Sequence, residues 1–519
     1  MNRLFAGLDV STQGCKLVVI DLQAPGVVHI DAVNYDEDLP QFGTRDGVIQ
    51  ELGEGVSESD PKMWLAAIER LFDRLLEAAF SIDSIASISV SGQQHGLVAL
   101  DAAGGLARAT SKLWNDHSTV EECEILTRRI GGVEAMIDAV GNSQRPGYTA
   151  GKILHLVRHE PEVFERATTL FVVHNFINWF LTGGVRVMEP GDTSGMALWH
   201  PATGQWSQQV LDAIDPRLAD KLPEIRPADR SIGRISRGLV ERFGFSPDCT
   251  IDAGSGDNMY GALGTGNIAE GLVTVSLGTS GTACTIRKEP FVDPDGEIAS
   301  YCDSTGQYLP LLCVSNLANG YNEMRRLHGL SHRDFDEAAA SVLPGDHGRL
   351  LIPWFSGERT PDIPKARPVY FGFSLDSFSR ENLCRSVLDG HILNLHAGFG
   401  RLPVAVREIR VTGGLSRSPV WCQTIADVFE TEVVPVEGEG AALGAALHAA
   451  WVWLNENSSQ TPLEELVEPF IDLDQRNRKR PLSENQKAYA YLRKQYSALS
   501  WRLQGLAGED PFDLSHKLE

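Results

Sequence analysis

The sequence predicts an α/β protein built from two duplicated halves with a cleft between them. Three observations predict it. The chain has 519 residues, and single hydrophobic cores stop growing at roughly 250–300 residues, so at least two cores are expected. Strand-like runs alternate with apolar stripes at helical spacing. Two short strand–turn–strand segments, LDVSTQGCKLVVI from Leu8 and SLGTSGTACTI from Ser276, echo each other in the two halves.

The bulk numbers narrow the class. With 42% hydrophobic and 22% charged residues the chain reads as an ordinary globular protein. A balance of 46 basic against 69 acidic residues, net −23, repels nucleic acid and anionic membrane surfaces. Eight cysteines without a CxxC pair read as reduced core thiols of a cytoplasmic protein. No run approaches 18 apolar residues, so no membrane span is expected.

In chain order, Leu4 to Asp9 and Lys16 to Asp21 read as strands around the turn Ser11-Thr12-Gln13-Gly14. A hairpin there, in place of a helix, argues against a Rossmann or Walker-type site. Asp60-Pro61 is a helix start, and Trp64, Leu65, Ile68, Leu71, Phe72, Leu75 and Leu76 continue it as one stripe. Ile85 to Val90 is a strand leading into Ser91-Gly92-Gln93-Gln94-His95-Gly96, and Phe176 to Leu181 is helical. The Pro- and Gly-containing stretch 223–247 reads as a connector. It sets the expected domains at 1–249 and 250–480, with 481–519 as a closing helix and tail. In the second half, Leu272 to Ile286 is again a hairpin. Helices are expected over Ser379 to Gly400, Pro419 to Phe429, Ala441 to Trp453 and Ser483 to Leu506, with a strand Ile409 to Thr412 before Gly413-Gly414-Leu415-Ser416.

The stretch Ile251 to Thr282 concentrates the chemistry. Gly254-Ser255-Gly256-Asp257-Asn258 puts an acid among glycines, where backbone approaches a ligand closely. The turn from Gly278 to Thr282 offers bare N–H groups and hydroxyls suited to phosphates. Asp257 thus reads as a general base for an alcohol, or as an Asx-turn. Asp9, Thr12 and Lys16 read as a metal and phosphate site, or as a capped hairpin. Gln94 and His95 suit sugar hydroxyls, with an ordinary buried histidine as the alternative. Trp114-Asn115-Asp116 reads as core plus turn or as a pocket wall, and Gly413-Gly414 as a nucleotide loop or a plain strand-to-helix turn.

Taken in order, Asp9/Thr12, QQHG, WND, GSGDN, SLGTS, GGLS and GEGAALGAA resemble the FGGY carbohydrate kinases over residues 4 to 453. The wording GLDVSTQGCK, SGQQHG, DTSGM, GSGDN and VSLGTS is most similar to the animal-type xylulose kinase branch. The resemblance implies two actin/hexokinase-like (ribonuclease H-like) domains, mixed β-sheets flanked by helices, with a catalytic cleft between them. It implies ATP- and Mg2+-dependent phosphorylation of a ketopentose, D-xylulose to D-xylulose 5-phosphate, in the cytoplasm. Asp257 would be the base, Gln94, His95, Trp114, Asp116 and Asn258 would bind substrate, and Asp9 would hold Mg2+. Thr12, Lys16, Gly278 and Thr279 would face the phosphates, and Gly413, Gly414 and Ser416 the nucleotide. Arg145 is the arginine available for substrate in the stretch 142–152, and His332 stands near the expected adenine position. A homodimer through surface helices accords with the resemblance, while nucleic acid and membrane partners do not. Ribulose, a deoxy sugar or glycerol as substrate, or a non-catalytic sugar or nucleotide-binding regulator, are the alternatives.

Overall fold

The computed structural model describes residues 3–438, 440–457 and 461–515. Strand Leu4–Val10 turns back antiparallel into Gly14–Asp21, which continues antiparallel into Gly26–Asn34. On its other side Leu4–Val10 pairs in parallel with Ile85–Gly92, followed by Thr250–Asp252 in parallel and Ser231–Arg234 in antiparallel. A second sheet repeats this plan. There Leu272–Leu277 pairs antiparallel with Gly281–Thr285, which pairs with Tyr308–Val314. Glu408–Thr412 and Glu432–Glu437 follow in parallel, and Asp472–Leu473 closes the edge antiparallel. The echo between the two hairpins is therefore the visible part of a duplicated sheet order.

The local expectations rest on recognisable physics. Helix Pro61–Glu77 starts at Asp60, whose carboxylate accepts the Lys62 amide, and buries Trp64, Ile68, Leu71, Phe72 and Leu75. Helix Pro419–Phe429 has Ser418 as its N-cap, and helices Arg380–Phe399 and Ser483–Leu503 occupy the expected stretches. All eight cysteines are free, and seven are buried. Among the described residues no helix is long and apolar enough to cross a membrane.

The chain divides into two compact units that are not consecutive segments. The first gathers residues up to Ile268 with Arg287–Pro310 and Gly438–Ile471, and the second gathers Ala269–Ile286, Leu311–Glu437 and the residues from Asp472 on. The division expected at residue 250 falls inside the first unit. The stretch 223–247 is no free connector, because it supplies strand Ser231–Arg234 and helix Arg237–Phe243 to that unit. Helix Gly440–Asn457, placed by sequence order in the second half, also packs in the first. Its Ala442, Ala445, Ala446 and Ala449 share a buried cluster with Phe5, Val18, Ile20 and Tyr260. Small residues there let backbones meet: a Cβ on Gly444 would lie 2.0 Å from the Tyr260 carbonyl oxygen. Of the motif Glu437-Gly438-Glu439-Gly440, Glu439 lies outside the described residues.

Candidate active site

Asp257 is the first residue of helix Asp257–Gly264, directly after Ser255–Gly256, which pairs with Ser91–Gly92. It thus lies within the first unit and not at a unit boundary. Burial pushes its carboxyl up to about 7, with the charges of Asp9 and Asp192 adding to the shift and Asn258 opposing it. A carboxyl held near 7 is matched to proton transfer at neutral pH. Asp9 sits near the end of strand Leu4–Val10, opposite Lys16 in the register, and accepts Ser91 Oγ at 2.7 Å. Its own carboxyl is raised by burial, against the Ser91 hydrogen bond and the Lys16 charge. Thr12, in the turn, donates to Gln93 Oε1 at 3.2 Å and accepts from Trp114 Nε1 at 2.9 Å.

The loop after Ile85–Gly92 carries Gln94 and His95, both nearly buried. Asn258 Nδ2 donates to Gln94 Oε1 at 2.7 Å and to Asp257 Oδ1 at 3.1 Å, while Gln94 Nε2 reaches Asp192 Oδ1 at 3.4 Å. His95 has φ +64°, a left-handed conformation that non-glycine residues rarely adopt. Its surroundings hold it there. The backbone N–H faces both Asp192 oxygens at 3.3 Å, and the carbonyl accepts Lys152 Nζ at 2.6 Å and Thr149 Oγ1 at 3.2 Å. The ring lies between Asp192 Oδ1, 3.3 Å from Nδ1, and Tyr301 OH, 3.2 Å from Nε2. Trp114 is 44% exposed and presents its indole beside Thr12. Asp116 is fully buried, and its carboxylate accepts the amides of Ser57 and Ser118 and the Ser118 hydroxyl at 2.6–3.1 Å. It shapes the Trp114 loop from within. Arg145 donates to the Gly296 carbonyl at 3.0 Å and to Ser143 Oγ at 3.2 Å.

In the second unit, Gly278 and Thr279 are exposed at the tip of the hairpin Leu272–Thr285, and Thr279 O accepts the amides of Leu317 and Ala318 at 3.0 and 3.1 Å. Strand Glu408–Thr412 runs parallel beside it, with Thr412 opposite Ser276, so the Gly413-Gly414 turn follows in the adjacent position. Gly413 has φ +90° and, like Gly414, is exposed. Ser416 is buried and spends its hydroxyl on the Gly413 carbonyl at 2.7 Å, which fixes the turn. His332 is exposed at a helix start, its Nδ1 hydrogen-bonded to Tyr321 OH.

Residues 4–264 match the N-terminal domain of the FGGY family of carbohydrate kinases, and residues 273–453 match its C-terminal domain. This chain belongs to the FGGY family. It is 33% identical over 500 residues to the xylulose kinase of Haemophilus influenzae, covering 94% of this chain and 96% of that one. Identity to the xylulose kinase of Mus musculus is 29% over 473 residues, 86% of each chain. The crystal structure of xylulose kinase from Bifidobacterium adolescentis superposes with a TM-score of 0.80 at 26% identity, covering 95% of this chain and 99% of that one. The expected family and its two-domain α/β fold are thus both found.

Two groups of this FGGY kinase escaped the sequence reading as individual residues. Asp192, on the short helix Pro190–Thr193 capped by Glu189, is the hub that Gln94 and His95 share. Lys152 is buried on helix Thr149–His159, and burial draws its ammonium down to about 7 against the charges of Asp116 and Asp192. A lysine inside the apolar run AGKILHL was the available signal. Glu122, His155 and His159 bring metal-type ligand atoms within 4.8 Å of one another, but Arg158 Nη1 already sits 2.5 Å from Glu122 Oε1 and neutralises it.

Proposed function

We propose that this kinase transfers the γ-phosphoryl group of ATP to O5 of D-xylulose, giving D-xylulose 5-phosphate and ADP. The observation that carries the mechanism is Asp257, held near 7 and tied through Asn258 to the Gln94–His95 loop. Its carboxylate takes the proton of the terminal hydroxyl as that oxygen bonds to phosphorus and the bridging oxygen leaves with ADP. Gln94 and His95 hold and orient the open-chain sugar, and the exposed Trp114 indole forms a wall beside Thr12. Thr12 and Lys16 face phosphate, as do the open turns at Gly278-Thr279, while Gly413-Gly414 receives the nucleotide with Ser416 bracing the turn. The naming of the substrate rests on the xylulose kinases to which the chain is similar over most of its length.

The residues also fit Mg2+. Asp9 and Asp257 push against each other's charge, and Asp9 has Lys16 as its opposing cation. A divalent ion held largely by water and phosphate needs little more than one such carboxylate. Asp9 would hold it, and the ion would neutralise charge on the triphosphate.

The test is a panel of D-xylulose, D-ribulose, gluconate and glycerol in a coupled assay of ADP release. D-xylulose is expected to give the highest kcat/KM. A tenfold preference for another acceptor overturns the sugar assignment, and ATP turnover indifferent to every added sugar overturns the kinase reading.

A further inference from the structure

Flanking Asp257 in sequence, at Asp252 and Tyr260, lies a buried ionic unit that none of the roles above uses. His448, on helix Gly440–Asn457, is fully buried, as are Asp252 and Tyr260. His448 Nε2 lies 2.7 Å from the carbonyl oxygen of Ser304, and Nδ1 lies 2.8 Å from Asp252 Oδ2 and 3.1 Å from Tyr260 OH. A carbonyl only accepts, so Nε2 carries a proton; an ionised carboxylate only accepts, so Nδ1 carries one too. The ring is therefore an imidazolium paired with Asp252. Its pKa is raised, since the charges of Asp252 and Asp303 and the Ser304 carbonyl outweigh burial.

This unit touches both segments that place Asp257. Asp252 ends the strand Thr250–Asp252, and its other oxygen, Oδ1, accepts the Gly254 amide at 2.9 Å. That bond pins Gly254 at φ +68°, the turn that carries the chain into Ser255–Gly256 and onto Asp257. Tyr260, one helical turn after Asp257, meets His448 through its hydroxyl and also Ser89 Oγ at 2.7 Å. Thus one ring braces the turn before the base and the helix after it. We propose that His448, paired with Asp252, is a positioning residue for Asp257. This rests on Asp257 being the base.

The experiment compares His448→Gln, Asp252→Asn, the double variant and Asp257→Ala in the ADP-release assay with the wild type. Each brace variant alone is expected to lose about tenfold or more in kcat, with KM for ATP changed less than about twofold, because only the base's placement is altered. The acid limb of kcat/KM should also shift by about half a pH unit or more, since displaced Asp257 meets Asp9 and Asp192 at new distances. The double variant should recover part of the His448→Gln loss, because a neutral Gln–Asn pair leaves no buried carboxylate unpaired, whereas His448→Gln alone does. The double variant also carries the test where a single one fails to fold. A His448→Gln kcat within about twofold of wild type, or additive losses in the double variant, overturns the proposal. Near-normal turnover by Asp257→Ala instead removes the base assignment, whatever the brace variants do.

Discussion

Asn258 donates one amide proton to Gln94 and another to Asp257, so a single side chain joins the loop after Ile85–Gly92 to the start of helix Asp257–Gly264. Replacing Gln94 with Leu leaves Asn258 without its loop partner and removes the amide proposed above to hold the sugar. KM for the sugar should rise about tenfold, with a smaller change in kcat, as expected for lost ground-state binding. Steady-state kinetics at saturating ATP measures both.

Asp257→Asn keeps the shape of the helix start but cannot accept a proton. Turnover should fall by about 10²–10⁴-fold. The same change should stabilise the fold above neutral pH. The folded-state pKa, about 7, lies above the unfolded value, so the folded protein binds more protons than the unfolded chain between them. Stability attributable to this group therefore falls as pH rises through that window, and is fully lost above about 7. A thermal melt at pH 8 should place Asp257→Asn above the wild type, and at pH 4 the gap should close.

The pH profile of the wild type follows from the same carboxyl. Since the proposed base must be ionised to act, kcat/KM should rise through about 7 and drop about tenfold per unit below it. Asp192 is one of the charges that raise this pKa, so Asp192→Asn should move the limb to lower pH. It should also raise KM for the sugar, because Gln94 and the His95 amide lose an ionised acceptor. A limb that stays in place would assign it to a group other than Asp257.

Gly444→Ala places a methyl carbon 2.0 Å from the Tyr260 carbonyl oxygen, a backbone atom that cannot swing aside. Overpacking of this kind costs about 1–3 kcal/mol or more. The variant should melt earlier than wild type and, because Tyr260 lies on the helix begun by Asp257, should lose kcat as well.

Where a residue's role is local, the sequence reading succeeded. Asp60 caps its helix, the Leu4 and Leu272 hairpins form, and Pro419–Phe429 occupies its expected range, since capping, turn and periodicity are written into neighbours. Strand Gly26–Asn34 was not foreseen. It is an outer strand of its sheet, with Val27, Val28 and Ile30 39–48% exposed, so no buried face imprints an alternating pattern. Nor does anything local in Gly440–Asn457 state that it packs on Leu4–Val10, because alanines that admit a close neighbour do not specify which one. Asp192 was hidden for a related reason: an acid in the loop Glu189 to Gly195 looks like any turn acid until the fold sets it beside Gln94 and His95.

The return of Gly438–Ile471 to the first unit has a consequence for how the protein is made. A ribosome releases the N-terminal strands early, yet the helix that covers Gly7 and Phe5 emerges only after about 420 further residues, roughly 20–85 s later at ordinary elongation rates. During that interval the nascent chain carries an uncovered apolar sheet face, so chaperone occupancy should peak on chains arrested before residue 440 and fall sharply once residue 457 has cleared the exit tunnel.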